Sequence, residues 1–260
     1  MGGVNFRKHV SNPPKMLYKY FKSIERVMDT IEGQYIHFET PDTYNDVFDS
    51  AISVSEEDFK RMPFAGLTKS KIEPDFILYG ADYDLSEIKT AYDAFKLLEN
   101  YLSESELDIL KYGFIKPMKN VHAYNNKVSC FSEVNDSLLM WAHYGDSLKG
   151  ACLCFDTSKD SALFSNAQKV QYTNLRPRIG NFNEYFTKSI DWSYEQEWRI
   201  VVDQKEDIIH TNSCVGIIIG EKYPFSKAMK LQRFASTKGL NVFLAETDRD
   251  IYRVNIVKWS

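Results

Sequence analysis

The sequence predicts an α+β fold: a mixed, mainly antiparallel sheet with flanking helices and one helical insertion. Three observations carry that expectation. Apolar runs of strand length recur along the chain, among them Ala151–Phe155 and Val215–Gly220. Helical spacing is found at only a few places between them, and several strands follow one another in hairpin fashion. Between about 53 and 126, strand signals become scarce while helix-capping pairs accumulate. The whole chain, 1–260, is expected to form a single domain that carries this insertion.

Met16–Tyr20, just after Pro13–Pro14, reads as a first strand or as the start of the helix behind it. Ile24, Val27, Met28 and Ile31 keep helical spacing, and Gly33 suits the C′ position. Tyr35–Thr40 alternates as a strand, and Pro41 stops it. Thr43–Asp49 is a polar loop whose Asn and Asp side chains can bond their own backbone. In the insertion, Asp84 with Glu87 and Ser103 with Glu106 have capping-box spacing. The first opens a helix with Leu85, Ile88, Tyr92, Phe95, Leu98 and Leu102 inward; the second helix ends near Gly113. Lys169–Thr173 is expected as one strand, Phe182–Ile190 as a helix, and Asp191–Asp203 as a segment turning into a strand. Pro224 can take the first position of a helix that runs to about Thr237 and is closed by Gly239. Asn241–Glu246 and Ile251–Trp259 are the last two strands.

Net charge is −4 and pI about 5.8, so no overall basic field recruits nucleic acid, although a local basic groove is compatible with the composition. No secretory segment stands near Met1, and no apolar run is long enough to span a bilayer. Cys130, Cys152, Cys154 and Cys214 sit in apolar, strand-like contexts without CxxC spacing or clustered histidine. They read as reduced core residues rather than zinc ligands or disulfide partners. Together these features predict a cytoplasmic protein with no membrane partner.

The densest stretch is Val128–Asp156, which reads as strand, polar turn, short helix, glycine, strand. Asp136 stands where an N-cap belongs. Leu138–Tyr144 is apolar or aromatic almost all round, so this helix is expected to be buried. Trp141, His143 and Tyr144 then need hydrogen-bond partners, in a pocket wall or in a plain core. His143 can act as general acid or base near neutrality, although a hydrogen-bonded core histidine is the commoner use. Trp192–Arg199, WSYEQEWR, is the sharpest constellation. Extended, it puts Glu195, Glu197 and Arg199 on one face and Tyr194, Gln196 and Trp198 on the other; helical, it joins Glu195 to Arg199. Two adjacent carboxylates raise one pKa, and the guanidinium opposes the rise. Such a set stabilises cationic charge or binds a hydroxyl, or it is a surface ion cluster. There is no P-loop, GxGxxG or HExxH, and Ser132 lacks a GxSxG setting. Asp46, Asp49, His143, Glu195 and Glu197 are conceivable metal ligands, but nothing fixes their spacing, and no metal site is assigned.

LYKY at Leu17–Tyr20, TYNDVFDS at Thr43–Ser50, CFSE at Cys130–Glu133, MWAHYGDSLKGACLCFD at Met140–Asp156 and WSYEQEWR belong together. In this order they resemble the bacterial family called domain of unknown function 2971. Its members carry runs like NDPFD, MWxHYxxxHxGxxxxF and YExEWR, and the likeness extends over most of the chain. Val47 stands where the family has proline. Leu148 stands where it has histidine, which weakens any role for that side chain. The family name supplies no activity.

The order of strand, aromatic–serine turn, helix with tyrosine, strand and late glutamate-bearing strand is also similar to ADP-ribosyltransferases. That resemblance implies NAD as cofactor, positioned by a first-strand side chain, packed by an aromatic or serine strand and assisted by the late glutamate. Carried over by position, these are Tyr18, Lys19 and Tyr20, then Phe131 and Ser132, then Glu197. Nicotinamide loss develops cationic character that a carboxylate stabilises. Such an enzyme would be a bacterial effector, for example a toxin of a phage-defence system, acting on a protein or nucleic acid. A non-catalytic ligand-sensing or interaction module and a metal-dependent nuclease are the alternatives. The catalytic candidates are Glu197, Glu195, His143 and Tyr144; the binding candidates are Tyr18, Lys19, Tyr20, Asn45, Asp46, Phe131, Ser132, Trp141 and Arg199. Trp141, His143, Tyr144, Glu195, Glu197, Asn45 and Asp46 are expected around one cleft.

Overall fold

The computed structural model describes residues 12–44, 126–178 and 183–259, and between them 46, 49–50, 52–53, 56–61, 89–90, 92–93, 96, 99 and 102–109. The expected helix start at Asp84, the end near Gly113 and the candidate Asn45 lie outside the described residues.

The chain forms the mixed α+β architecture. Eight strands make one sheet in the order β12 (Val254–Lys258), β11 (Asn241–Thr247), β10 (Cys214–Gly220), β4 (Ala151–Asp156), β1 (Met16–Phe21), β3 (Asn126–Ser132), β8 (Glu197–Asp203), β5 (Gln168–Lys169). Every neighbouring pair is antiparallel except β10 and β11. That parallel pair is joined by a helix, as a parallel crossover requires. Two small sheets accompany it: β2 (Tyr35–His37) with β9 (Ile208–His210), and β6 (Gln171–Thr173) with β7 (Thr187–Ser189). The helices used below are α1 (Ile24–Gly33), α2 (Leu138–His143), α3 (Ser161–Phe164) and α4 (Phe225–Thr237). Among the described residues, no helix is long and apolar enough to cross a membrane.

Strand alternation divides the sheet into two unequal faces. One carries the main core: Leu17, Phe131, Leu153, Phe155, Trp198, Ile200 and Ile217 meet Val27 and Ile31 of α1 and Leu231 and Ala235 of α4. Each large apolar side chain buried there stabilises the fold by about 1.5–3 kcal/mol. The other face holds two smaller clusters. Trp141, Leu148, Cys152, Cys154 and Ile218 form one; Val128, Tyr185, Phe186 and Val201 form the other. The candidate site lies where these two clusters approach each other.

Several local expectations are corrected. Gln34, not Gly33, takes the left-handed position after α1, at φ 49°. A Cβ at 33 would come within 2.5 Å of the Tyr35 ring, so that ring would have to shift. Lys169–Thr173 breaks in two: the N–H of buried Val170 donates to the Glu197 carbonyl, and β6 then turns away to pair with β7. The helix expected over 182–190 is a 3-10 turn at Asn183–Phe186 followed by β7, because pairing to β6 overrides weak helical spacing. The Ser103–Glu106 box is present, with Glu106 accepting from the Ser103 N–H at 2.8 Å. Helix α4 follows Pro224 directly, and Gly239 closes it at φ 74°.

Helix α2 departs furthest from expectation. Ser137, not Asp136, caps it, accepting from the Met140 N–H. Met140 and Trp141 are buried, but Leu138 is 43% exposed and Leu139 46%. The Trp141 indole N–H donates to the Asn135 carbonyl at 2.8 Å. That anchor sets the rotation of a six-residue helix and turns Leu138, Leu139 and His143 outward.

Candidate functional site

The site starts at a seam in the sheet. Strand β1 pairs with β4 along its whole length but meets β3 at one register pair, Tyr18 with Ser132. Beyond that pair the two strands part. Val128 of β3 instead exchanges backbone hydrogen bonds with Glu39, at 2.8 and 3.1 Å. Lys19 reaches across the opening, its Nζ donating to Ser129 Oγ at 2.9 Å and to the Cys130 carbonyl at 3.1 Å. Burial holds the Lys19 ammonium below its ordinary value, against the opposing pull of Cys130 and Glu39. Tyr20 closes the upper end by donating to the Val134 carbonyl at 3.0 Å.

The seam opens into a cleft of about 190 Å³. Tyr18, Lys19, Tyr20, Phe131, Ser132, Tyr144, Glu195 and Glu197 line it together with Tyr44, Asp49, Cys130, Met140 and Lys188. The Phe131 ring belongs to the main core beneath. Ser132 joins the strands to the turn above: its hydroxyl donates to the Glu195 carbonyl at 2.6 Å and accepts from the Val134 N–H at 3.1 Å. Cys130, pushed up to about 12 by burial, remains a thiol beside Tyr44.

One wall is a buried ionic cluster. Glu197 and Arg199 share a face of β8, as alternation requires, and Arg199 donates to both Glu197 oxygens at 2.9 and 3.0 Å. The same guanidinium grips both Asp49 oxygens at 2.7 and 2.6 Å. Glu195 ends the 3-10 segment Ile190–Glu195, and Gln196 in the left-handed region (φ 44°) separates it from β8. That kink brings Glu195 to the cluster from the turn rather than from the strand. Its two oxygens accept from Tyr144 Oη and Lys188 Nζ, each at 2.6 Å. Lys188 stands 3.6 Å from Glu197 and 3.7 Å from Asp49, and its ammonium lies 4.7 Å from the Trp192 ring centre.

These contacts drive the two carboxylates apart. Burial, and then the Glu197 charge, push Glu195 up to about 7 against the pull of Lys188. Burial pushes Glu197 the same way, but Arg199 and Lys188 outweigh it and hold Glu197 at about 2. Burial would lower Lys188, yet Glu197, Glu195 and Asp49 keep it above its ordinary value and therefore protonated. Near neutrality the wall presents one fixed carboxylate beside one that exchanges its proton, the division of labour an acid–base site needs.

The chain matches no protein-family model, no curated protein and no solved structure. The site therefore rests on its own geometry.

Several candidates fall elsewhere. His143 is exposed, its Nδ1 2.7 Å from the Tyr194 hydroxyl and its ring beside Trp192, outside the cleft lining. Trp141 lies in the core and meets the site through its edge contact with Tyr20. Arg199 is wholly buried behind the cleft wall and acts on the carboxylates rather than on a ligand. Asp46 does not line the cleft, whereas Asp49 does. Neither Asp49 nor Lys188 lies in an apolar pattern: Asp49 is marked in the sequence only by the run TYNDVFDS and as a conceivable metal ligand, and Lys188 carries no signal.

Proposed function

We propose that this chain is an ADP-ribosyltransferase-like bacterial effector that uses NAD to modify a protein or nucleic acid. One observation carries the reading. Tyr18, Ser132 and Glu197 occupy one register level on three adjacent strands, where β1 and β3 part. The resemblance asks for this arrangement of first-strand side chain, serine strand and late glutamate. Membership of the domain of unknown function 2971 family is proposed on the quoted motifs alone and supplies no activity, and the role of a defence-system toxin is part of the transferase reading.

NAD, when bound, supplies an ADP-ribosyl group whose bond to nicotinamide breaks with cationic character at the ribose. The cleft suits one end of that molecule. Its space of about 190 Å³ suits a ring and adjoining sugar. Tyr18 and Tyr20 offer aromatic faces, and Ser132 and Lys19 hold the seam in register. Glu197 stays ionised, held by the Arg199 guanidinium, with the Cys130 thiol as a further hydrogen-bond partner. Its fixed charge favours positive character developing in front of it. Glu195 is poised to take the acceptor's proton, and Tyr144 and Lys188 fix its orientation.

A second reading is a non-catalytic ligand-sensing module, favoured by the complete hydrogen bonding of Arg199, which is also how a purely structural network looks. The nuclease alternative has no observation behind it: Arg199 and Lys188 take the positions between the carboxylates. Incubation with NAD, following nicotinamide release, separates these. Release by the wild type that falls about 10²–10³-fold in Glu197→Gln supports transfer chemistry. NAD binding without release favours the sensing module, and undiminished release by Glu197→Gln removes the catalytic assignment.

A further inference from the structure

We propose that a trough beside the cleft, on the same face of the sheet, is the subsite for the adenine ring of the dinucleotide. The inference rests on the NAD reading of the cleft and names where the second half of that ligand goes. The two cavities share Tyr18 as a common wall.

The strand register builds the trough. Across four neighbouring strands the residues at one level are Tyr18, Cys154, Gly216 and Asn241. One level along, Ile218 stands beside Phe243. The middle positions are a thiol and a glycine, so the floor is low while its margins are high. Gly216 is a necessary part of that floor. A Cβ there would lie 2.9 Å from the Asn241 carbonyl oxygen and 3.5 Å from Phe243 Cε2, so the Phe243 ring rests close against bare backbone. The resulting space is about 250 Å³. Tyr18 and Asn241 are three strand spacings apart, about 14 Å, enough for a bicyclic ring to lie on the floor between them.

The chemistry selects a neutral flat heterocycle. Among the described residues, no acidic or basic side chain lines the trough, and the Cys154 thiol is pushed up to about 12 by burial and stays protonated. A phosphate or carboxylate would find no counter-charge there. Tyr18, Phe243 and Ile256 are half-buried, leaving apolar surface that a ring would cover. Asn135 and Asn241 supply carboxamides at the margin. Asn241 Nδ2 donates to the Val215 carbonyl at 3.2 Å, and its Oδ1 remains an acceptor for an exocyclic amine. A carboxamide is the group that matches the donor–acceptor edge of adenine. The trough shares the Tyr18 wall with the cleft and offers the second half of the dinucleotide a place beside it.

Titration calorimetry with AMP, nicotinamide mononucleotide and NAD tests this on the wild type, Phe243→Ala and Asn241→Ala. Asn241 is exposed, so its variant keeps the fold even if Phe243→Ala does not. AMP is expected to bind the wild type. Both variants should weaken AMP and NAD by a common factor of about ten while leaving nicotinamide mononucleotide unchanged. If nicotinamide mononucleotide binds but AMP does not, or AMP binds all three proteins equally, the adenine subsite is wrong and the cleft reading survives. If AMP binding is lost in the variants but nicotinamide mononucleotide never binds, the subsite stands and the cleft reading falls.

Discussion

Asp49 and Arg199 lie 150 residues apart in the chain and are joined by two parallel hydrogen bonds, Nη1 to Oδ1 at 2.7 Å and Nη2 to Oδ2 at 2.6 Å. Arg199 spends its other donors on Glu197 and the Tyr185 carbonyl, so all five N–H bonds of the guanidinium are used. The fork ties the segment after β2 to the strand that carries Glu197. It fixes direction as well as charge.

Arg199→Lys is therefore expected to be severe. An ammonium has one nitrogen and cannot span two carboxylates in a fork. Breaking a buried pair leaves uncompensated charge, and the expected loss is about 3–5 kcal/mol. Guanidinium chloride unfolding measures it. A loss under about 1 kcal/mol would show that the cluster does not hold this part of the fold.

Stability should vary with pH in two opposite limbs. Glu195 is raised from 4.5 to about 7, so between those values the folded chain keeps a proton that the unfolded chain has lost. Stability then falls as pH rises from about 4.5 to about 7. Glu197 is lowered from 4.5 to about 2, so its stabilisation is complete above 4.5 and is lost as pH falls towards 2. Glu195→Gln should flatten the first limb and leave the second. Thermal melts across this range, flat for the wild type, would contradict the split.

Under the proposed transfer chemistry, the same split is expected to separate the two carboxylates in activity. With NAD consumption as readout, Glu197→Gln should lose about 10²–10³-fold at every pH. Glu195→Gln should instead abolish a rise in kcat/KM centred near 7, at a cost of about 10²–10⁴-fold above it. His143→Ala, on the exposed side of α2, should stay within about two-fold of the wild type. A large loss in His143→Ala would return that imidazole to the chemistry.

Three consecutive non-glycine residues, Asp146, Ser147 and Leu148, have φ of 48°, 55° and 70°. Each costs about 1 kcal/mol in the left-handed region. Leu148 is kept there by burial in the Trp141 cluster, but Ser147 is exposed. Ser147→Gly is expected to gain about 1 kcal/mol and raise Tm by about 2–4 °C. An unchanged Tm would mean that the loop holds no strain at this position.

The class of fold and most of its elements are legible in the residue pattern. Apolar runs placed β4 and β10 and helical spacing placed α1, because these patterns report which side of an element avoids water; Pro224 and Gly239 bounded α4, and Met16–Tyr20 suits strand or helix until it pairs with β4. The residue pattern also marked Glu195, Glu197 and Arg199 as a charged group set against a buried strand. Their partners are set by the assembled fold. Trp141, His143 and Tyr144 are neighbours on one short helix, yet the anchor from Trp141 to Asn135 sends one to the core, one to solvent and one to the cleft. Asp49 and Lys188 carry no periodic signal, and they reach Arg199 and Glu195 through a loop and through the β6–β7 pairing. Periodicity is a local property of the chain. The partner of a buried charge is set by register between strands far apart in sequence, and that is decided when the sheet assembles.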